Sequence, residues 1–526
     1  MCKLFPLSIL VVMMFVLSAI CPAADIYITQ NTSGSDTGAN CANAHSTTWF
    51  NSNQAGGNTY HLCGTFTGAA GATILNVSAG SAGNVKTILF ESGAGMTAPV
   101  WGSGAGAWPS GAAININGSY VTVDGGTNGY IKATLSGAVG TSCSGGSCVY
   151  DQTTAGILVA ASANNVEVKN LTITDIYRCN NASACNTNWY TAGIMVGISA
   201  NNNNLSIHDN TISQVGTEIM FQYGGAISNI NIYNNTLGAD GHGGYWGIAV
   251  GTGSSGTPVS NVNIYGNAIS GCTDWTNQYN PSNGNGYHCD GVIVYSSSGA
   301  QPFNIYNNYI SFAGPTTADV FCTYGSATPG ATCNIFNNVL LINNPTCYGV
   351  GRSAWMHGGS GPHAIVNNTL VGVNAGCYLL TLESGTSISR LQNNIFTQEN
   401  WAADDGQTGN LSLTDYNLYN ASGAMWNYNG SYKSFAQWQA LGFDTNGKSA
   451  DPLLNSDYTL QSSSPARSSG KNLYSVCNGQ PIPGLGALCY DKAGSARPSS
   501  GAWDAGAYQY SGGGIAPPSH LVATVH

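Results

Sequence analysis

The chain has 526 residues and a formal net charge of −10, because 23 Asp and Glu outnumber 13 Lys and Arg. Phosphate binding needs a basic surface, so this charge argues against nucleic acid as a partner. Only 7% of the residues are charged and 43% are hydrophobic, and 70 are glycine. This composition argues against both a helical bundle and a charged disordered chain.

The first 24 residues have the features of a secretory signal peptide. Lys3 supplies a positive start, residues 4–20 form an apolar stretch, and cleavage is expected after Ala23 or Ala24. The apolar stretch is short for a membrane span, although an uncleaved anchor stays open as the alternative. We therefore expect a secreted, extracellular protein whose mature chain has no membrane span.

The cysteines support export to an oxidising compartment. Without Cys2 and Cys21, 14 of the 16 cysteines remain, and many are close neighbours in sequence. This pattern predicts local disulfides that staple loops, with the connectivity left open. The close neighbours are Cys143 and Cys148, Cys179 and Cys185, Cys272 and Cys289, Cys322 and Cys333, and Cys477 and Cys489.

A short phrase of alternating apolar residues and asparagine recurs along the chain, as in residues 230–237 (INIYNNTL). Such a period with strand-like alternation indicates a solenoid, in which each copy is one turn of a coil. Asparagine tolerates left-handed backbone, so we interpret the repeated asparagines as a structural ladder without chemistry. They are Asn170, Asn210, Asn235, Asn267, Asn308, Asn338, Asn368 and Asn394, separated by 40, 25, 32, 41, 30, 30 and 26 residues.

A second strand signal of glycine followed by alternating apolar residues occurs in the same coils, as in residues 193–196 and 291–294. Alternation places Ile194 and Val196 inside the coil and Met195 outside. Each coil therefore contains three strands and a loop of variable length. The division we expect is a signal peptide at 1–24, an N-terminal cap and first coils at 25–110, a β-helix at 111–400, last coils and a C-terminal cap at 401–510, and a flexible tail at 511–526.

Both ends of the chain carry further signatures. They are residues 26–28 and 34–36 at the start, and residues 434–442 (a helix-period segment), 451–452, 464–465 and 504–508 at the end. With the coil phrases, they resemble secreted proteins of the pectate-lyase-like superfamily. The resemblance implies an all-β fold, a right-handed parallel β-helix of three-strand coils with ten or more turns and a cap at each end. This superfamily contains lyases, hydrolases, epimerases and adhesins, so it leaves the reaction open.

The resemblance implies an active site on the outer face of the first strand of each coil and in the loop before it. Asp290 directly precedes such a strand, and Asp319 is expected near it on the next coil, about 4.8 Å away. Two carboxylates at this spacing suit sugar hydrolysis. His288 and Asp274 in the preceding loop are further catalytic candidates. The structural alternative, in which Asp290 only caps the start of the strand, stays open.

Aromatic and polar residues near the same loops predict a carbohydrate groove, because aromatic rings pack against sugar faces. No cofactor is required by the sequence, and Ca²⁺ held by Asp240, Asp274 and Asp290 is the one candidate. The predicted substrate-binding residues are Trp246, Tyr245, Trp275, Tyr287, Tyr223, Arg352 and His242.

Basic residues are scarce in the coils, which bears on the type of reaction. A uronate lyase needs a base and cations, and Arg352 is the plausible base among the four Lys and Arg between residues 150 and 400. The scarcity favours hydrolysis by paired carboxylates over lyase chemistry. We therefore expect a monomeric, secreted enzyme that cleaves a polysaccharide. The alternative is a non-catalytic extracellular β-helix that binds glycans or acts as a surface adhesin.

Overall fold

The structure is a computed structural model, and the part of the chain that it describes forms one continuous coil with capped ends. The described residues are 23–102, 111–135, 154–176, 191–197, 202–222, 225–238, 243–251, 259–271, 290–295, 302–312, 318–324, 332–342, 352–356, 360–372, 378–399, 401–405, 410–421, 426–481 and 484–512.

Each coil contributes strands to three parallel sheets, named A, B and C here, which confirms the predicted right-handed parallel β-helix. Sheet A contains 14 strands, and from β12 onward its strands precede the asparagine turn. They are β1 (Asp25–Thr29), β2 (His45–Ser46), β3 (Thr59–Leu62), β6 (Lys86–Phe90), β9 (Val121–Asp124), β12 (Val166–Lys169), β15 (Asn202–His208), β17 (Ile227–Tyr233), β20 (Val259–Tyr265), β23 (Phe303–Tyr306), β26 (Cys333–Phe336), β29 (His363–Val366), β32 (Ser387–Gln392) and β35 (Asn410–Asp415).

Sheet B follows the asparagine turn. Its strands are β4 (Thr65–Thr67), β7 (Gly95–Ala98), β10 (Tyr130–Ala133), β13 (Thr172–Ile176), β16 (Thr211–Phe221), β18 (Thr236–Leu237), β21 (Ala268–Gly271), β24 (Tyr309–Phe312), β27 (Val339–Ile342), β30 (Thr369–Gly372), β33 (Ile395–Glu399), β36 (Leu418–Ala421) and β39 (Lys448–Ser449). Strand β16 continues into sheet C, because its first half pairs with β13 and its second half with β14 (Ala192–Val196).

Sheet C carries the strands that begin near the repeated glycine. Besides β14 and the end of β16, they are β5 (Leu75–Val77), β8 (Ala112–Ile116), β11 (Ala155–Val159), β19 (Gly243–Val250), β22 (Asp290–Tyr295), β25 (Ala318–Tyr324), β28 (Arg352–Met356), β31 (Tyr378–Leu382), β34 (Trp401–Asp405) and β37 (Trp426–Tyr428). The short β38 (Ser431–Lys433) pairs with β37 in the antiparallel direction.

The interior of the coil is filled by the alternate apolar residues of the strands, as predicted. Ile194, Val196, Val292 and Val294 lie in the main core, and each such side chain contributes roughly 1.5–3 kcal/mol on burial. Met195 belongs instead to a separate apolar cluster on the outer face of sheet C. This outer cluster is also buried, so sheet C is covered on both faces in this region.

The repeated asparagines form the predicted ladder, with a shift at its start. Asn308 accepts hydrogen bonds from the backbone N–H and side-chain amide of Asn267 at 3.0 Å and donates to Asn338. The ladder begins at Asn210, whose oxygen accepts from the N–H of Leu171. Asn170, predicted to be a member, lies one position earlier with a φ of 58°.

Both ends of the coil are closed by short helices. At the N terminus α1 (Thr47–Ser52) buries Phe50 in the core, and the Ser46 hydroxyl accepts the N–H of Trp49 as its cap. At the C terminus α2 (Phe435–Ala440) confirms the predicted helix, with a capping box formed by Ser434 and Gln437.

The last part of the chain folds back along the outer face of sheet A. This C-terminal segment, residues 470–481 and 484–508, contains α3 (Tyr474–Cys477). Its Leu473, Leu488 and Trp503 pack against Phe336 and Val366 of sheet A. The segment therefore covers the end of sheet A nearest the C-terminal cap.

Three disulfides lie within the described residues, and two of them join predicted neighbours. Cys322 bonds to Cys333 and Cys477 bonds to Cys489, as the spacing suggested. The third joins Cys41 to Cys63 in the N-terminal cap. Across the described ranges, no helix has the length and apolar character needed to span a membrane.

Candidate functional site

Asp290 lies at the start of β22, on the outer face of sheet C. The aligned residues are Trp246 on the preceding coil and Ala318 on the next. One carboxyl oxygen of Asp290 accepts the indole N–H of Trp246 at 3.1 Å, and the other accepts the backbone N–H of Ala318 at 3.0 Å. Asp290 is fully buried.

The surroundings of Asp290 change its acidity. Burial raises the pKa of the Asp290 carboxyl well above its usual range, and the hydrogen bonds from Ala318 and Trp246 lower it without offsetting this effect. The carboxyl therefore holds its proton at pH values where an exposed aspartate is ionised. A carboxylic acid in this state is able to donate a proton.

The described residues around Asp290 on the outer face are apolar apart from one hydroxyl. Ile293 and Phe321 belong to the outer apolar cluster together with Trp246. Thr217 is aligned with Trp246 one coil before it and is fully buried. Its hydroxyl has no hydrogen-bond partner among the described residues. A buried polar group without a partner is uncommon, and a bound ligand is one explanation for it.

Asp319 is on the neighbouring coil, as predicted, but on the other side of sheet C. It stands opposite Gly291, because Ala318 pairs with Asp290 and Val320 pairs with Val292. A side chain at Gly291 would point into the coil, where its Cβ would lie 2.6 Å from a methyl carbon of Ile310. The same orientation directs the buried Asp319 to the interior. Asp290 and Asp319 therefore do not face one groove.

A second polar cluster lies on the outer face of sheet A, which the sequence analysis treated as scaffold. His208 is held between Asp209, at 2.6 Å from Nδ1, and Glu167, at 3.1 Å from Nε2. Lys169 lies 3.1 Å from Glu167 and 3.9 Å from Asp124. This arrangement brings three carboxylates and two basic groups together on one partly exposed surface.

The charges of the second cluster shift each other's acidity. The hydrogen bond from His208 lowers the pKa of Glu167 to about 2, and Lys169 adds to this effect. Burial lowers the pKa of His208, but its bonds to Glu167 and Asp209 outweigh burial and raise the pKa above 6.5. The imidazole is therefore stabilised in its charged form by two carboxylates.

A stack of aromatic rings continues from His208 along sheet A. The ring of His208 lies 4.4 Å from Tyr233, and Tyr233 lies 4.9 Å from Tyr265, with nearly parallel planes. Tyr306 and Phe336 extend the stack towards the C-terminal segment. The signal for this stack was present in the sequence, because each ring occupies the last strand position before the asparagine turn.

Comparisons with known proteins identify similar folds at low identity. No family model and no curated protein sequence matches the chain. The chain is similar to pectate lyase Pel9A, with 14% identity, a TM-score of 0.45 and coverage of 93% of this chain and 97% of that one. It is also similar to XylC in complex with xylose, with 11% identity, a TM-score of 0.47 and coverage of 92% of this chain and 98% of that one. A third similar structure is the GH136 lacto-N-biosidase from Eubacterium ramulus, with 12% identity, a TM-score of 0.44 and coverage of 81% of this chain and 67% of that one.

The three parallel sheets wound around one core decide the architecture. The chain is a right-handed parallel β-helix. In this β-helix, Asp290 and Trp246 lie next to each other on the outer face of sheet C. Tyr245 and Arg352 belong to β19 and β28, but the structure describes only the backbone at these two positions.

The remaining predicted site residues of the β-helix fall outside the described residues. They are His288, Asp274, Trp275, Tyr287, Tyr223, His242 and Asp240, so both the substrate groove and the calcium site stay predictions.

Within the described ranges, one group of side chains has the spacing of a metal site, namely Cys322, Cys333 and His363. The two cysteines are joined in a disulfide, so their sulfur atoms are not available as thiolate ligands. The ring of His363 is already engaged, since it accepts the N–H of Cys333 at 3.0 Å and contacts the Ser360 hydroxyl at 2.8 Å. This group is therefore a structural disulfide with a buried histidine beside it.

Proposed function

We propose that the protein acts on an extracellular polysaccharide in a groove along the outer face of sheet C and cleaves it by hydrolysis. The observation that carries this proposal is the fully buried Asp290 carboxyl, bonded to the indole of Trp246 on the outer face of sheet C, where burial raises its pKa. The unpaired Thr217 hydroxyl in the same column adds a polar group suited to a sugar ligand.

Hydrolysis of a glycosidic bond needs an acid to protonate the leaving oxygen and a second carboxylate as base or nucleophile. In this proposal Asp290 is the acid. Asp319, on the next strand, and Glu218, two strands before Asp290, align with inward-directed glycine positions and do not supply the second group. The second carboxylate is then Asp274, which the sequence places in the loop before Asp290.

A non-catalytic glycan-binding protein is the second candidate, and the burial of Asp290 favours it. A substrate reaches this carboxyl only when the side chains that cover it move aside. If they stay in place, Asp290 serves to satisfy the N–H groups of Trp246 and Ala318, and the protein binds glycans without cleaving them.

The test compares the wild type with Asp290→Asn on a panel of plant, algal and bacterial polysaccharides, with new reducing ends as the readout. Loss of a positioned general acid lowers a rate by about 10²–10⁴-fold, and we expect a loss of that size in Asp290→Asn. Asp444→Asn is the control, because it alters another buried aspartate, in the C-terminal cap. Unsaturated products would indicate a lyase, and no product despite glycan binding would contradict catalysis.

A further inference from the structure

The outer face of sheet A is covered by the C-terminal segment at one end and open upstream of it. Asn304, Asn334 and Ala364 point outward under that segment and are at most 4% exposed. On β12, β15, β17 and β20 the corresponding residues are partly or fully exposed, except His208. We call this surface the open A face; it comprises the outward residues of 165–170, 204–209, 229–234 and 261–266.

The covered end shows how this face binds a chain. Asn337, Asn367 and Asn393 each follow the last residue of a sheet A strand, with φ near 55°. Their side-chain amides donate to the C-terminal segment's carbonyl oxygens, at Tyr490 (2.7 Å), Asp504 (3.0 Å), Gly506 (3.1 Å) and Lys471 (2.9 Å).

The same turn position continues along the open A face. Asn170, Asp209 and Asn234 occupy it there, with φ values of 58°, 53° and 52°. Asn170 and Asp209 are exposed and Asn234 is partly exposed. The open A face therefore repeats the polar edge that holds the C-terminal segment, and among the described residues no such segment lies on it.

The chemistry of the open A face differs from that of the covered end. Phe336 and Val366 provide apolar contacts under the C-terminal segment, whereas the open A face has no outward aliphatic residue. Asn263 donates both amide hydrogens, to Asn231 at 3.1 Å and to Asn261 at 3.0 Å, and its oxygen accepts the amide of Asn304 at 2.9 Å. An amide has two donors and two acceptor lone pairs. Asn263 therefore keeps one acceptor lone pair, whereas Asn231, which among the described residues only accepts from Asn263, also keeps its amide hydrogens for a ligand. This surface suits a ligand rich in hydroxyl groups rather than an apolar peptide.

The charge of the open A face also limits the kinds of ligand that it can bind. Asp124, Glu167 and Asp209 outnumber Lys169 and His208 on and beside the open A face, so the net charge is negative. Like charges repel, which disfavours uronates and phosphates. Burial raises the pKa of both Tyr233 and Tyr265 to about 12, so their hydroxyl groups stay neutral donors.

We propose that the open A face is a binding site for a neutral polysaccharide, separate from Asp290 on sheet C. The polysaccharide lies across β12, β15, β17 and β20, and the amides of Asn231 and Asn263 and the hydroxyls of Tyr233 and Tyr265 bond to its hydroxyl groups. Strands about 4.8 Å apart repeat these groups at a constant interval, so several weak bonds act on one chain.

The test is affinity gel electrophoresis of the full chain carrying Asp290→Asn, so that cleavage at sheet C does not consume the ligand. The probes are soluble xyloglucan, arabinoxylan and galactomannan, with polygalacturonate as the anionic comparison. We expect at least one neutral polysaccharide to retard migration and polygalacturonate to leave it unchanged.

Two variants locate the binding on the open A face. A double variant with Asn231→Ala and Asn263→Ala should bind with an apparent dissociation constant about tenfold higher, as expected for the loss of one or two net hydrogen bonds. The pair Tyr233→Phe and Tyr265→Phe keeps the ring stack and should weaken binding about fivefold. Asn76→Ala is the control, because Asn76 belongs to an exposed amide pair on β5 of sheet C.

Binding that is unchanged in both pairs, or a wild type that no neutral polysaccharide retards, would overturn the proposal. Stronger retardation by polygalacturonate than by any neutral polysaccharide would overturn the assigned chemistry. If circular dichroism shows that the Asn231→Ala and Asn263→Ala double variant does not fold, the binding measured with the Tyr233→Phe and Tyr265→Phe double variant decides whether the open A face binds the polysaccharide. Because cleavage is scored on the wild type and binding on Asp290→Asn, failure at one sheet is distinguishable from failure at the other.

Discussion

Asn308 shows what one residue of the ladder does. Its side-chain oxygen accepts from the N–H and the amide of Asn267, and its amide donates to the oxygen of Asn338 and the carbonyl of Ile264. All four bonds lie in the buried interior of the turn. Aspartate lacks the donors, and the shorter serine lacks an amide that bonds in both directions.

Replacing Asn308 by alanine should destabilise the protein by about 3–5 kcal/mol, because it leaves buried backbone and amide groups without partners. Chemical denaturation followed by circular dichroism measures this change. Asn76→Ala, at an exposed position, should change the free energy of unfolding by less than about 0.5 kcal/mol. Equal losses in the two variants would contradict a stabilising role for the ladder.

His208 makes part of the stability depend on pH. Its pKa in the folded protein lies above 6.5, so the stabilisation from Glu167 and Asp209 is fully present below pH 6.5 and is lost as pH rises through the raised pKa. Glu167, with a pKa of about 2, stays ionised throughout this range. We expect the melting temperature of the wild type to fall more between about pH 6 and 9 than that of His208→Gln. Parallel profiles would refute the coupling.

Particular residues also show how much of the fold and of the candidate site the sequence predicts. The asparagine phrase predicts the coil register well, because the ladder requires one residue type at one position. The phrase did not reveal that Asn170 lies one position before the ladder, since two adjacent turn positions both favour asparagine. Nor did it reveal the His208 cluster, which forms only when residues of successive coils become neighbours.

Strands follow sequence alternation closely, except at their bends. Alternation correctly placed Ile194 and Val196 inside and Met195 outside. It failed to orient Asp319, because the chain bends at the glycine column and two consecutive positions there face inward. Sequence alone does not show such a bend. The predicted carboxylate pair of Asp290 and Asp319 assumed a strand without a bend at this point.

The C-terminal segment is an element with its own staple. The disulfide between Cys477 and Cys489 closes a loop in the part that packs on sheet A. Replacing both cysteines by serine should lower the free energy of opening this segment by about 2–4 kcal/mol. Hydrogen exchange should then quicken in residues 470–508 while amides of the ladder, such as Asn308, stay protected. Equal quickening in the ladder would contradict local opening.

At the scale of the whole molecule, the coil presents two different long surfaces. Sheet C carries a buried apolar cluster beside the buried Asp290, and sheet A carries a polar surface of amides, tyrosines and paired charges. The caps and the C-terminal segment close the ends and part of sheet A. A protein that cleaves on one surface and binds on the other would hold a long polysaccharide while working along it.

The most direct test of this account is product analysis in water enriched in heavy oxygen. The wild type is incubated with the polysaccharides that it binds, and the fragments are analysed by mass spectrometry. Hydrolysis with Asp290 as the acid predicts heavy oxygen at each new reducing end and a large loss of fragments in Asp290→Asn. Unlabelled, unsaturated fragments, or labelled fragments formed equally fast by Asp290→Asn, would contradict it.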